Sequence, residues 1–228
     1  MVKRLVLLFF LFASGIVISE KISAQHILGA LSVGMNLTQV DGDVFYGYNK
    51  IGLNVGPQVI IPFGKNKKWS VSMELLYSQK GSYHSGATDS TTYRLTLDYA
   101  EIPLLVHFTD KKLISGGVGF SYGQVINYKE TKNNFYDSLF RYQTGLSNKD
   151  YSVIGDVQIR LWSKLWAGVR YQYSMKSNRT VLVTNRNTMP RTAYTRYQYN
   201  NVITIRLTWV FNQEKIEKQP PKANNNQE

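Results

Sequence analysis

The sequence predicts an all-β fold, an eight-stranded antiparallel up-and-down transmembrane β-barrel. Three observations support this prediction. Segments of about ten or more residues alternate between apolar and polar positions, their connections alternate between long and short, and aromatic residues gather at the segment ends. A barrel with an even number of strands, short turns at one end and long loops at the other produces this pattern.

The last segment, residues 199–211, shows the alternation most clearly. Isoleucine, leucine and aromatic residues occupy one side, whereas Asn200, Thr204 and Arg206 occupy the other. Because side chains alternate across a strand, the two faces of this segment meet different environments. Its terminal aromatic residue is the usual recognition mark for the barrel-assembly machinery, which we expect as a partner during insertion.

Seven further segments repeat the pattern, and each is long enough for a tilted strand to cross a bilayer. In the fourth segment the apolar positions pass from Leu95, Leu97 and Tyr99 to Ile102 and Leu104. We interpret this change of phase, near residues 100–101, as a β-bulge. The eight segments are residues 26–38, 52–62, 69–79, 93–108, 114–126, 151–161, 165–176 and 199–211.

Residues 1–24 have the pattern of a signal peptide. Lys3 and Arg4 precede fourteen mostly apolar residues, and Ala24 ends a cleavage site of small residues. A helix of that apolar length spans about 21 Å, which is shorter than the roughly 30 Å hydrocarbon core that an anchor must cross. We therefore expect export to the outer membrane, a barrel domain of residues 25–211 and a disordered periplasmic tail of residues 212–228.

The chain has a formal net charge of +12 and contains no cysteine. Without cysteine, neither a disulfide framework nor a thiolate metal site can form. The positive charge predicts anionic surroundings, for which nucleic acid, lipid phosphate and lipopolysaccharide are the candidates. Because an exported protein does not meet nucleic acid, we expect outer-membrane lipid and lipopolysaccharide as partners.

The alternation leaves a second fold open, since a soluble lipocalin-like barrel has the same period with its faces exchanged. Two features favour the membrane barrel. The polar positions hold mostly small uncharged residues, whereas a solvated exterior would carry many lysines and glutamates. The aromatic residues also form two groups, as membrane interfaces select, with tyrosines at the long-loop end. The predicted interface aromatics at the short-turn end are Trp69, Trp162, Trp166, Trp209 and Phe211.

The polar faces of the strands place charged residues in the predicted lumen. An eight-stranded barrel encloses little more than its own side chains, so isolated charges would be costly there and are expected to pair. A structural plug and a gated pore or small-ligand site are both compatible with such pairing, and the narrow lumen favours the plug. The predicted lumen charge network is Glu74, Glu101, Asp156, Arg160, Arg170, Lys176 and Arg206.

The last long loop is predicted to be basic, because no acidic residue occurs between Val157 and Gln213. Arginine side chains in such a loop bind lipopolysaccharide phosphates or an acidic partner. The alternative is a solvated loop on a basic protein. The loop residues in question are Arg179, Arg186, Arg191 and Arg196, and Lys176 precedes them.

Catalysis finds no support in the sequence. His26, His84 and His107 are scattered, and no metalloprotease, hydrolase or phosphate-loop motif occurs. We therefore expect no enzyme activity, no cofactor and no metal site.

Four stretches resemble the PorT-like outer-membrane β-barrel family of Bacteroidetes. They are GMNLTQVDGD at residues 34–43, NKIGLNVG at 49–56, ELLYSQKG at 74–81 and LDYAEIPLL at 97–105. The likeness covers nearly all of the chain after the leader and is clearest through the first five strands. It implies an eight-stranded barrel in the cell outer membrane of a Gram-negative bacterium, and it supplies no catalytic residues.

Three roles follow as hypotheses. The leading one is a small integral barrel with a plugged polar lumen and a structural or accessory role in the envelope. The second is an accessory component of type IX protein secretion, in which the founding member of the PorT-like family takes part, acting with secretion-system proteins. The third is a barrel that binds or transports a small ligand.

Overall fold

The structure, a computed structural model, consists of antiparallel strands throughout the part of the chain that it describes. The predicted leader and tail lie outside the described residues, so their assignment stays a prediction. The described residues are 27–43, 47–64, 66–85, 92–133, 140–143, 145–184 and 193–211. The strands are β1 (Leu28–Asp41), β2 (Lys50–Phe63), β3 (Trp69–Glu74), β4 (Leu76–Ser85), β5 (Thr92–Asp110), β6 (Ile114–Asn133), β7 (Phe140–Gln143), β8 (Lys149–Arg160), β9 (Leu165–Ser174), β10 (Arg179–Thr184) and β11 (Ala193–Val210).

These strands close into a ring. Antiparallel pairing runs through β1, β2, β3, β5, β6, β8, β9 and β11, and β11 returns to pair with β1 from Ala30↔Val210 to Asp41↔Tyr199. The shorter β4 continues β3 beyond Leu75. At the long-loop end of the barrel, called the upper end below, β10 pairs with β11 from Ala193 to Gln198. The described part of the chain therefore forms an eight-stranded barrel, and the predicted fold class is confirmed.

The outer surface of the barrel is apolar and its interior is largely polar. On β6, for example, Val118 and Phe120 on the outward face are 70% and 63% exposed, whereas Ser121 on the inward face is 4% exposed. This arrangement reverses that of a soluble barrel and matches a lipid-facing exterior. The described residues contain no helix that is both long and apolar enough to cross a membrane.

The predicted β-bulge in the fourth segment is wrong. Tyr93, Leu95, Leu97 and Tyr99 are buried inside the barrel, and the same alternation continues to the buried Glu101. The register shift lies instead in the pairing of β5 with β6, between residues 98 and 99 of β5. The prediction failed because it assumed that apolar residues face lipid along the whole strand. In its upper half, β5 turns them inward into an apolar core with Val40.

Candidate functional site

Strand alternation brings four of the predicted lumen charges together, and we call them the central cluster: Glu74, Asp156, Arg170 and Arg206. Arg170 donates to both oxygens of Glu74, at 2.7 and 3.0 Å, and to Asp156 Oδ2 at 2.9 Å. Arg206 donates to both oxygens of Glu74, at 3.0 and 3.1 Å, and to Asp156 Oδ2 at 2.6 Å. Each carboxylate is therefore shared by two guanidinium groups.

The central cluster is buried and its formal charges cancel. None of its side chains is more than 2% exposed. Burying a charge is costly, and the cost is offset here by bidentate, charge-assisted hydrogen bonds. His107 lies beside the cluster, with Nε2 3.8 Å from Asp156 Oδ2. The two guanidinium groups and the two carboxylates of the cluster balance one another inside the barrel.

A second group of charges, the upper cluster, consists of Lys80, Glu101 and Asp150. Lys80 Nζ lies 2.5 Å from Glu101 Oε1 and 3.2 Å from Asp150 Oδ2, and all three side chains are buried. Asn200 and Ser174 donate to Asp150 at 3.0 and 2.7 Å. Lys80 and Asp150 were not among the predicted lumen charges, although Lys80 continues the inward phase of Glu74 and Asp150 continues that of Asp156.

Apolar side chains form a buried cluster toward each end of the barrel interior. Near the short turns, Leu28, Ala30, Val210 and Trp166 form one buried cluster. At the opposite end, the apolar core of Val40 and the β5 residues lies above the upper cluster. The assignment of Trp166 to the membrane interface is wrong, because this side chain is only 8% exposed and shares the inward face of β9 with Arg170.

The other aromatic residues named at this end lie on the outer surface. Trp69, Trp162, Trp209 and Phe211 are 47% to 69% exposed, and Trp69 packs edge-on against Phe108 at 5.0 Å. At the opposite end, Tyr122 and Tyr151 lie 5.5 Å apart, and Tyr173 stacks on Tyr199 at 6.0 Å. Two aromatic bands therefore border the apolar belt.

Two residues of the predicted network lie outside it. Arg160 donates to the carbonyl oxygens of Trp162 at 3.2 Å and Ser163 at 2.8 Å, because it sits at the end of β8 and reaches the following turn. Lys176 is exposed, since it lies two residues beyond Ser174, the last residue of β9, and the inward alternation has ended there. Their assignment to the lumen is wrong.

The predicted anion-binding loop is only partly described, because Arg186 and Arg191 lie outside the described residues. Arg179 is 7% exposed, and its Nη1 donates to Glu130 at 3.2 Å. Its Nη2 also donates to the Tyr93 hydroxyl at 3.2 Å. Arg179 therefore points inward and is wrongly assigned to an outer binding surface. Arg196 is half-buried on β11, opposite Val181.

The described residues contain no group of three or more histidine, aspartate or glutamate side chains that could hold a metal ion. His107 contacts Ser72 and Asp156, and the ring of His84 lies on another strand. The expectations that the chain is not an enzyme and needs no cofactor stay predictions.

The chain matches one protein family and is similar to solved outer-membrane proteins. The family described as outer membrane protein beta-barrel domain matches residues 24–179. No curated protein matches the sequence significantly. Among solved structures, Ail of Yersinia pestis is 11% identical, with 82% of this chain and 99% of Ail covered at a TM-score of 0.45. OprG of Pseudomonas aeruginosa is 14% identical, with 81% and 94% covered at a TM-score of 0.41.

Proposed function

The chain belongs to the outer membrane protein beta-barrel domain family, and from this premise we propose a non-conducting barrel with a structural or accessory role in the envelope. Its location in the outer membrane, as predicted, follows from that membership and the apolar belt. In this role the barrel neither catalyses a reaction nor transports a solute.

The filling of the lumen carries this proposal. Along the barrel axis, an apolar cluster, the central cluster, the upper cluster and a second apolar core follow one another. A conducting pore needs a continuous path of water, which such side chains interrupt. Small barrels of eight strands have room for little else.

We expect the folded protein to show no discrete current steps in planar lipid bilayers. Folding would be verified first by the shift in gel mobility between unheated and heated samples, and a known large-pore porin would serve as the positive control. Reproducible ion currents from the folded protein would contradict the proposal and favour the ligand or transport alternative.

A second candidate function is the accessory role in type IX secretion, and one observation favours it. β6 pairs with β5 as far as Thr92↔Asn133, but with β8 only as far as Gln124↔Lys149. In the described part of the sheet, the pairing of β6 with β8 therefore ends before its pairing with β5 does. We infer that this end of β6 accepts an extended segment of another protein by strand addition.

The PorT-like resemblance is the reason for naming type IX secretion as the system in which this second candidate would act. If it is correct, deleting the gene will reduce secretion of type IX cargo, and a plasmid copy will restore it. The amount of cargo in the culture medium is the measurement. Normal secretion by the deletion strain would remove this candidate and leave the structural role.

A further inference from the structure

We propose that Lys149 and Lys176 form a binding site for the lipid A phosphates of lipopolysaccharide in the outer leaflet. From the sequence, such a site was expected in the basic loop, with Lys176 beside the arginines, and Lys176 was also assigned to the lumen. The structure instead exposes both lysines where the ladder between β8 and β9 ends. The inference goes beyond the proposed structural role and does not depend on it.

The register of β8 and β9 brings the two lysines together. The amide of Met175 donates to the carbonyl oxygen of Tyr151 at 2.7 Å, so the strands are still joined at this level. Lys176 follows Met175 directly. Lys149 lies two residues from Tyr151 on the same outward face of β8, because side chains alternate along a strand.

Neither lysine has an acidic partner among the residues that the structure describes. The neighbouring Asp150 points inward, where Lys80 and Ser174 hold it. Glu130 also points inward and pairs with Arg179. The two ammonium groups therefore add an uncompensated positive charge to the outer surface, which attracts phosphate.

The depth of the site indicates a membrane lipid and not a free anion. The tyrosine band, with Tyr151 and Tyr173, lies directly below the lysines, and apolar residues such as Phe120 and Val153 lie below the band. Tyrosines of this kind sit at the headgroup level. Lipid A has acyl chains for the apolar belt and phosphates for the lysines, so one occupant fits both surfaces.

The test compares two double variants of the full-length protein in phosphatidylcholine nanodiscs. K149Q/K176Q removes the proposed site. K111Q/K112Q removes the same charge from two exposed lysines in the short turn between β5 and β6, at the opposite end of the barrel. Binding of purified phosphorylated lipid A, dephosphorylated lipid A and inorganic phosphate would be measured for each protein.

We expect K149Q/K176Q to bind phosphorylated lipid A about tenfold more weakly than the unchanged protein, given the contribution of single lysines near anionic lipid. K111Q/K112Q keeps full binding, and dephosphorylated lipid A binds the unchanged protein weakly. Equal binding by K149Q/K176Q and the unchanged protein would overturn the proposal. So would an equal loss in K111Q/K112Q, or binding of inorganic phosphate as tight as that of lipid A.

Discussion

Replacing Glu74 with alanine will lower the free energy of unfolding by about 3–5 kcal/mol. Glu74 accepts hydrogen bonds from both Arg170 and Arg206, and its removal leaves two buried guanidinium groups with Asp156 alone. Removing one member of a buried ion network is costly because the remaining charges stay desolvated. The loss would be read from the urea midpoint of the barrel in lipid vesicles, followed by tryptophan fluorescence.

Asp110 provides the matched control for this prediction. Its carboxylate lies 3.7 Å from Lys68, and the two side chains are 55% and 47% exposed. Exposed pairs contribute at most about 1 kcal/mol, so D110A should shift the midpoint little. Equal shifts for E74A and D110A would show that burial of the central cluster does not determine its energy.

The period-two pattern was sufficient to predict which strand faces line the lumen. It placed Glu74, Asp156, Arg170 and Arg206 inside, where the structure brings them together. The pattern does not contain the register between strands. For this reason it could not show that Arg206 meets Glu74 and Asp156, while Glu101 pairs with Lys80 in another layer.

The errors occur where alternation stops or changes its meaning. Arg160 and Lys176 lie at strand ends, where a long side chain reaches a turn or solvent whatever its phase. Trp166 has the inward phase, but its assignment to the interface rested on its residue type and not on its position in the strand. In the upper half of β5 the inward face is apolar, as in a soluble core, because this part rises beyond the lipid belt.

These differences define two environments along one barrel. Inside the membrane belt the outer face is apolar and the lumen is charged, whereas above the belt the interior becomes an apolar core. The assumption that apolar residues face lipid along the whole strand therefore misassigns the residues of the upper half. The boundary lies near the upper cluster, where Lys80 packs 4.9 Å from the ring centre of Tyr99.

Replacing Gly56 with alanine will destabilise the barrel by about 3 kcal/mol or more. Gly56 faces the lumen from β2, and a Cβ atom there would overlap the backbone of Leu75 and Leu76. These strands are held at that distance by the hydrogen bond from the amide of Leu75 to Pro57, at 3.0 Å. A methyl group must therefore separate β2 from β3 and β4, because backbone atoms cannot turn aside as a flexible side chain does.

Gly116 gives the comparison that isolates this steric effect. It lies in β6 on the exposed face, and a Cβ atom there would meet nothing within 4 Å. Both substitutions reduce the freedom of the unfolded chain equally, which alone stabilises a protein by up to about 1 kcal/mol. G116A should thus keep or raise the urea midpoint, whereas G56A lowers it or prevents the heat-dependent gel shift. If G56A folds as stably as G116A, the close approach of β2 to its neighbour does not require a glycine at this position.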